Sequence, residues 1–176
     1  MTPEMTTEPF FFIQLSDPQL GLTAEKTDLS KEEGLVQEVA QFESAISEAN
    51  RLKPDFVVVT GDLSQHHMDP GEIAEVKRIA GGLDSAIPIY WTTGNCDSCL
   101  DDGVSVASML EKYRQEFGDD YYSFDHKGTT FITISSTVIF DPSRMQDELK
   151  AQMKFIETEL KASVERGGAN RIIFTH

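Results

Sequence analysis

Residues 56–62 read FVVVTGD, an apolar run that ends in a threonine, a glycine and an aspartate. The continuous apolar stretch Phe56–Val59, bounded by polar and glycine signals, predicts a strand that is covered on both faces. Gly61 permits a tight turn directly after this strand. Asp62 is therefore expected at the carboxyl end of a buried strand, which is where open α/β sheets bind ligands.

Three other apolar runs predict central strands of the same kind: Phe10–Leu15, Ile87–Trp91 and Ile172–Phe174. Each is followed by a residue that can bind a metal, namely Asp17, Asn95 and His176. One such Asp or Asn commonly caps a helix or starts a turn instead. Together with Asp62, however, four residues in matching positions predict a single site at the strand ends.

Amphipathic helices are predicted between the strands. Ser30 and Glu33 form a capping-box signature before an apolar stripe that begins at Leu35, and Asp69 and Pro70 mark the start of a second helix. Apolar spacing predicts two further helices, around 106–117 and 149–160. The alternation of strands and helices indicates an α/β protein.

The segments Tyr121–Phe124 and Thr130–Ser135 flank a short turn and predict a β-hairpin. We expect this hairpin to extend the sheet at one edge. With 176 residues, the chain is long enough for one domain with a sizeable core. The predicted organisation is a flexible N-terminus over residues 1–9 and one domain over residues 10–176.

A formal net charge of −15 argues against binding to nucleic acid, which depends on clustered Lys and Arg side chains. The same acidity would attract divalent cations, although a highly charged surface explains most of it. The N-terminus lacks the basic segment and the length of a secretory signal, and no apolar stretch is long enough to span a bilayer. We expect no membrane partner.

The chain has two cysteines, Cys96 and Cys99, three positions apart. They could form a regulatory disulfide or half of a zinc site, but two unconnected thiols are the simpler interpretation. Low cysteine usage is typical of a reducing compartment, so the expected location is cytoplasmic.

The four motifs SDPQLG, TGD, TGNCD and IIFTH, in this order, resemble the calcineurin-like metallophosphoesterase family. Its motifs are Asp-x-His, Gly-Asp, Gly-Asn-His followed by an acidic residue, a strand-end His and a closing Gly-His-x-His. The resemblance implies a layered α-β-β-α sandwich and a phosphoesterase with a dinuclear metal centre. It covers residues 10–176, and we expect the chain to be the N-terminal part of the fold.

By that resemblance two divalent metal ions (Mn, Fe, Mg, Zn or Ca) would act as cofactors and activate a water molecule. Asp17 and Gln19 would lie at the first metal, and Asp62 would bridge both metals. Asn95 and His176 would bind the second. Gln19 replaces a histidine, so it could instead contact only a metal-bound water or stabilise a turn.

The catalytic candidates implied by the resemblance are Asn95, Cys96 and Asp97. In the family, the position of Cys96 holds a histidine near the leaving group. A thiol with an ordinary pKa of roughly 8.5 is a poorer acid than imidazolium and carries no positive charge, so we expect weak catalysis. Asp97 is expected to orient its neighbour.

The sequence ends at His176 without a Gly-His-x-His segment, so we expect an incomplete metal site and an uncovered apolar sheet face that promotes self-association. The remaining histidines do not fit that motif. His66 and His67 are secondary candidates that could line the cleft, although solvated loop histidines are the simpler interpretation. No role is assigned to His126.

Two functions follow as expectations. The first is hydrolysis of phosphate esters, especially phosphomonoesters such as phosphoserine or phosphothreonine, with a phosphorylated substrate that could be a phosphoprotein. The alternative is a catalytically weak or inactive phosphoesterase-like module that binds or regulates a partner.

Overall fold

The computed structural model of the chain describes residues 8–100, 102–167 and 170–176, in which six strands and seven helices are found. In chain order these elements are β1 (Phe12–Ser16), α1 (Leu22–Lys26), α2 (Lys31–Leu52), β2 (Phe56–Thr60), α3 (Pro70–Ala80), β3 (Ile89–Thr92), α4 (Asn95–Ser98), α5 (Ala107–Phe117), β4 (Tyr122–His126), β5 (Thr129–Thr133), α6 (Ser136–Phe140), α7 (Gln146–Glu165) and β6 (Asn170–Phe174). Most of the predicted flexible N-terminus, residues 1–7, lies outside the described residues.

The first sheet is parallel and has the order β1-β2-β3. Ser16 pairs with Thr60, which pairs with Thr92, so the three strands end side by side. All five residues of β2 are buried, as the FVVVT run predicts. β2 is the one central strand among the four that were predicted to be central. That prediction was wrong for β1, β3 and β6, which lie at sheet edges.

The second sheet has the order β4-β5-β6. The predicted hairpin is confirmed, because β4 and β5 pair antiparallel, but the expectation that it extends the first sheet was wrong. β5 instead pairs in parallel with β6. The hairpin meets the first sheet through a side chain, since the Tyr122 hydroxyl donates to the Trp91 carbonyl at 2.9 Å and accepts from the Trp91 N–H at 3.0 Å.

The two sheets pack face to face through aromatic side chains. Phe56 and Val58 point from β2 into this layer, where Phe56 contacts Phe131 of β5 with 5.0 Å between ring centroids. Val57 and Val59 point the other way, into a core with the helices. This alternation follows from the two-residue period of a strand and explains why β2 is apolar from Phe56 to Val59.

The outer layers are helical. The capping box at Ser30 and Glu33 is present at the start of α2, and the Asp69 side chain accepts from two backbone N–H groups at the start of α3. On the second sheet, α7 reaches both edge strands: Arg166 pairs with Asp125 of β4, and Ser163 accepts a hydrogen bond from Arg171 of β6. The α-β-β-α arrangement is confirmed.

Three short helices, α1, α4 and α6, were not predicted. None exceeds five residues, which is too few to show a 3.6-residue period in the sequence. Within the described ranges, no helix has both the length and the apolar character needed to cross a bilayer.

Asp55, just before β2, provides a test of stability against pH. Its carboxylate accepts from Lys127 Nζ at 2.6 Å and contacts His126 Nε2 at 2.9 Å. The Lys127 hydrogen bond outweighs burial and lowers the pKa of Asp55 to about 2. Because folding depresses this pKa, the ion pair stabilises the fold above the ordinary carboxyl pKa and is lost as the pH falls towards 2.

We therefore expect Asp55→Asn to lower the free energy of unfolding at neutral pH by about 1–2 kcal/mol, allowing for solvent screening. The difference from the wild type should shrink as the pH approaches 2. Urea unfolding of both proteins at several pH values measures this difference in the free energy of unfolding. A difference that does not change with pH would contradict the ionised Asp55 carboxylate as its cause.

Candidate metal centre

The four strand ends meet at one edge of the molecule. Backbone hydrogen bonds join the loops after β1 and β2, from Asp17 N to Gly61 O at 3.3 Å and from Gln19 N to Asp62 O at 2.9 Å. His176, after β6 of the other sheet, reaches Thr60 O through Nδ1 at 3.1 Å. The site therefore lies where the carboxyl ends of the two sheets adjoin.

Asp17, Asp62 and His176 offer ligand atoms that all lie within 4.8 Å of one another. His176 Nε2 is 3.4 Å from Asp62 Oδ2 and 3.9 Å from Asp17 Oδ1. Because Nδ1 donates to the Thr60 carbonyl, Nε2 is directed at the two carboxylates, as in metal-binding histidines. Two carboxylates and an imidazole are a donor set suited to a divalent cation.

The pKa values at this cluster reflect opposite charges held close together. The hydrogen bond to Asp62 raises the pKa of His176 to about 9. Burial acts to raise the pKa of Asp62, but hydrogen bonds from His176 and from the Cys96 backbone lower it overall. A proton on His176 Nε2 thus takes the place that a cation could occupy between the same groups.

The side-chain amide of Asn95 adds a fourth group to this cluster. One of its two terminal atoms lies 3.3 Å from Asp62 Oδ2 and 3.3 Å from His176 Nε2. As nitrogen, this atom can donate to Asp62 Oδ2, and to His176 Nε2 when that nitrogen carries no proton. As oxygen, it completes a triangle of acceptors with sides of 3.3–3.4 Å, which suits coordination of one cation. The residues present therefore fit a metal ion.

Gln19 lies in the site but presents nitrogen rather than oxygen. Its Nε2 is 3.5 Å from Asp62 Oδ2, 3.4 Å from Cys96 Sγ and 3.0 Å from Gln65 Oε1. An amide nitrogen has no lone pair for a metal ion. In this orientation Gln19 is a hydrogen-bond donor, whereas the resemblance leaves open direct coordination, a contact to a metal-bound water and a turn-stabilising role.

Cys96 is half-buried beside Gln19, Asn95 and Asp62. Its backbone N–H donates to Asp62 Oδ1 at 2.9 Å, and its Sγ lies 3.5 Å from Asp62 Oδ2. Burial, followed by the charge of Asp62, raises the pKa of the Cys96 thiol to about 12. Cys99 is buried against Ser105, and both cysteines are free thiols.

Asp97 is fully buried and holds two loops together. Its carboxylate accepts from Leu63 N at 3.0 Å and from Gly94 N at 2.7 Å, so it joins the loop after β2 to the loop after β3. Burial raises the pKa of Asp97 to about 7. Its contacts are consistent with a positioning role for the loops that carry Asp62 and Asn95.

The backbone of the site is strained where the ligands emerge. Asp17, Gln19 and Asp62 have positive φ angles of 53°, 37° and 49°. Each such conformation costs a non-glycine residue about 1 kcal/mol or more, and such residues concentrate at functional sites. Gly61 is also left-handed, and a Cβ there would lie 2.5 Å from His176 Cγ.

Gly94 is required for space rather than for its backbone angles. A Cβ at this position would collide with the backbone nitrogen and carboxylate of Asp62. We expect Gly94→Ala to reduce the free energy of unfolding by about 1–3 kcal/mol, as overpacking does, and to displace Asp62.

Chemical denaturation measures the effect of Gly94→Ala. Gly71→Ala is the matched control, because its nearest contact is a side-chain oxygen of Asp69 at 3.2 Å in the first turn of α3. Equal stability of the two variants would contradict this prediction, because the loop after β3 would then be able to shift and accommodate the added Cβ.

The other histidines take three different positions. His66 binds carboxylates with both ring nitrogens, Nδ1 to Glu72 at 2.5 Å and Nε2 to Glu25 at 3.0 Å. His126 belongs to the Asp55 ion pair. His67 lines a pocket of about 250 Å³ together with Cys96, so it is the one of the three that borders the site.

A larger cavity of about 720 Å³ lies elsewhere, between α5 and the start of α7. Its lining includes Arg114, Tyr121 and Phe155 but no residue of the four motifs. Cavity size therefore does not mark the chemical site in this chain, whereas the convergence of donor atoms does.

Two stacked sheets with this donor set at their strand ends are the architecture of the calcineurin-like phosphoesterases, and the chain belongs to that family, whose model matches residues 12–176. It is 31% identical to the human serine/threonine-protein phosphatase CPPED1 over 179 residues, which are 96% of this chain and 55% of that protein. The rat protein of the same name is 30% identical over 97% of this chain and 56% of its own length. The chain thus spans about half the length of these relatives.

Among solved structures, the purple acid phosphatase PPD1 from yellow lupin seeds matches with a TM-score of 0.63. The match covers 94% of this chain and 30% of that chain, at 14% sequence identity. At this identity the likeness supports the fold alone.

Proposed function

We propose that this chain carries the metal-binding part of a phosphoesterase that hydrolyses phosphate esters with a dinuclear metal centre. The observation that carries the proposal is the close approach of Asp17, Asp62 and His176, with the Asn95 amide completing a triangle of donors. Divalent ions in such a site polarise a phosphate and supply a nucleophilic water near neutral pH. Mn, Fe, Mg, Zn and Ca are the candidate ions.

The protein's own residues would bind and orient these ions. Asp62 would serve both positions, and support for this comes from its Oδ2, which lies 3.4 Å from His176 Nε2, 3.3 Å from the Asn95 amide and 3.5 Å from Gln19 Nε2. The Cys96 backbone and the buried Asp97 fix the loops around it. No Lys or Arg lines the two described pockets next to Asp17 and Cys96, so phosphate charge would be balanced mainly by cations.

We propose phosphomonoesters as substrates, with phosphoserine or phosphothreonine in a phosphoprotein as the physiological group. Support comes from the relatives, which are named serine/threonine-protein phosphatases. We also propose a cytoplasmic location without nucleic-acid or membrane partners, and the net charge of −15 disfavours nucleic acid in particular.

The test is hydrolysis of p-nitrophenyl phosphate, bis(p-nitrophenyl) phosphate and a phosphoserine peptide in the presence of each candidate ion. We expect metal-dependent release from the monoesters, weak in absolute rate and abolished by a chelator. Release that is independent of metal, or absent with every ion while metal is bound, would contradict the enzymatic proposal.

The second candidate is a binding or regulatory module that retains the scaffold without efficient turnover. Cys96 favours it, because a thiol with a pKa of about 12 neither donates a proton readily nor carries positive charge. Tight metal binding without hydrolysis of any ester would support this candidate over the enzyme.

We further propose self-association through apolar side chains of the last three elements. Phe140 in α6 is 89% exposed, Val164 in α7 is 63% exposed and Ile173 in β6 is 46% exposed. Exposed apolar surface and an edge strand favour association. We expect the sedimentation coefficient to rise with protein concentration, and less so for Phe140→Ser. A concentration-independent monomer would contradict this prediction.

A further inference from the structure

Gln19 is surrounded by acceptors on one side of its amide. Nε2 donates to Gln65 Oε1 at 3.0 Å, and the same atom lies 3.4 Å from Cys96 Sγ and 3.5 Å from Asp62 Oδ2. A primary amide has two N–H groups. One can bind Gln65 while the other points towards Cys96 and Asp62.

The orientation of the Gln19 amide is set by Glu25, which acts through Gln65. Gln65 Nε2 donates to Glu25 Oε2 at 2.8 Å. An ionised carboxylate only accepts hydrogen bonds, so Gln65 must turn its nitrogen towards Glu25 and its oxygen towards Gln19. Gln19 must in turn present its nitrogen to that oxygen, which directs its own oxygen away from Gln65.

Glu25 is itself held in place. Its second oxygen, Oε1, lies 3.0 Å from His66 Nε2, and His66 Nδ1 lies 2.5 Å from Glu72 Oε1. Glu72 is buried in the first turn of α3 and also accepts from the His66 backbone at 3.1 Å. The hydrogen bond to Glu72 raises the pKa of His66, which favours the doubly protonated ring that both carboxylates require.

Reversing the Gln19 amide would place two hydrogen-bond acceptors against each other. The Gln19 oxygen would then face the Gln65 oxygen at 3.0 Å, and turning Gln65 as well would place its oxygen against Glu25. Two acceptors at hydrogen-bond distance without a proton between them are unfavourable. The hydrogen bonds among Gln19, Gln65 and Glu25 are therefore all satisfied only when the Gln19 nitrogen faces Gln65.

We propose that Gln19 is a hydrogen-bond donor of the site rather than a metal ligand, and that Gln65 and Glu25 are the positioning residues that hold it in that role. Resting on the proposed function, the acceptor would be a phosphate oxygen of the substrate. In a site flanked by pockets without Lys or Arg, such a donor contributes directly to phosphate binding.

Gln19→Ala separates the two roles. We expect Mn²⁺ to bind this variant no more weakly than the wild type, since the lost N–H competes with a cation for Asp62 Oδ2. Inorganic phosphate, titrated into the Mn²⁺-loaded protein, should bind about tenfold more weakly, the usual effect of removing a hydrogen bond to a charged group. Gln37→Ala, which changes an exposed glutamine of α2, is the control and should change neither affinity.

Glu25→Gln tests the positioning residues without changing shape. A glutamine there can present either oxygen or nitrogen, so it no longer fixes the direction of Gln65. We expect the Gln19 side-chain ¹⁵N–¹H resonances, assigned by their absence in Gln19→Ala, to shift and to exchange faster with solvent. Glu32→Gln, which makes the same change at an exposed position of α2, should leave them unchanged.

The inference is overturned if Gln19→Ala weakens Mn²⁺ binding about tenfold or more, because removing a residue that only donates a hydrogen bond near Asp62 should not weaken metal binding. It is also overturned if the Gln19 resonances are the same in the wild type and in Glu25→Gln. Failure of the wild type to bind Mn²⁺ would remove the proposed function instead. The resonances, which are read without metal, would still decide whether the positioning contacts exist.

Discussion

Replacing Cys96 with histidine is expected to raise the turnover of p-nitrophenyl phosphate by about 10²-fold, the lower range for a positioned general acid. Cys96 lies beside Asp62 with Sγ 3.5 Å from Oδ2, at the position for which the resemblance to the family implies a histidine. Its thiol pKa of about 12 keeps it protonated and neutral near neutral pH. An imidazolium would offer both a transferable proton and a positive charge to the departing oxygen.

Cys96→Ser is the matched control, because it preserves size and polarity without adding an acid of suitable pKa. We expect its turnover to remain close to that of the wild type. The rate of Cys96→His should also fall as the pH rises through the imidazole pKa. A Cys96→His variant that binds metal normally but shows no gain would contradict the assignment of this position to the leaving group.

Asp62→Asn is expected to abolish metal binding and to lower any hydrolysis by about three orders of magnitude, because metal ions contribute several kcal/mol to phosphate chemistry. Asp62 is buried, and its Oδ2 is 3.4 Å from His176 and 3.3 Å from Asn95. Asparagine can still accept the Cys96 backbone hydrogen bond, but it removes the anionic oxygen shared by both predicted metal positions.

The fold itself should survive Asp62→Asn. The variant removes one partner of the Asp62–His176 pair, so the metal-free protein should be less stable than the wild type but still folded, as thermal unfolding would show. Asp147→Asn is the control for a change of charge alone, since that side chain is 99% exposed. Loss of metal only through unfolding would leave the assignment of Asp62 unsupported.

The elements that position the site could be predicted because their signals are local. Phe56–Val59 is apolar at every position because its two faces meet different cores, and the capping residues Ser30 and Asp69 specify where α2 and α3 begin. The pairing of strands could not be predicted in the same way. Nothing in the sequence of the β4–β5 hairpin states that β5 pairs with β6 rather than with the first sheet.

The residues of the site also divide into those that the sequence could predict and those that it could not. Asp17, Asp62, Asn95 and His176 follow strands, so their convergence could be predicted from the topology of an α/β sheet. The environment of Gln19 could not, because Gln65 and Glu25 come from a loop and from a five-residue helix without a distinctive motif.

Space requirements were equally hidden. Gly94 makes room for the backbone nitrogen and the carboxylate of Asp62, which follows the neighbouring strand. That requirement depends on two loops from neighbouring strands, which no single stretch of sequence records.

The measurement that tests the central claim most directly is the metal content of the purified 176-residue chain after equilibrium dialysis against Mn²⁺ and removal of free ion. The donor set of Asp17, Asp62, Asn95 and His176 predicts that the wild type retains Mn²⁺ in stoichiometric amount and that Asp62→Asn retains none above background. Background metal in the wild type, or equal metal in the two proteins, would contradict a metal centre at these strand ends.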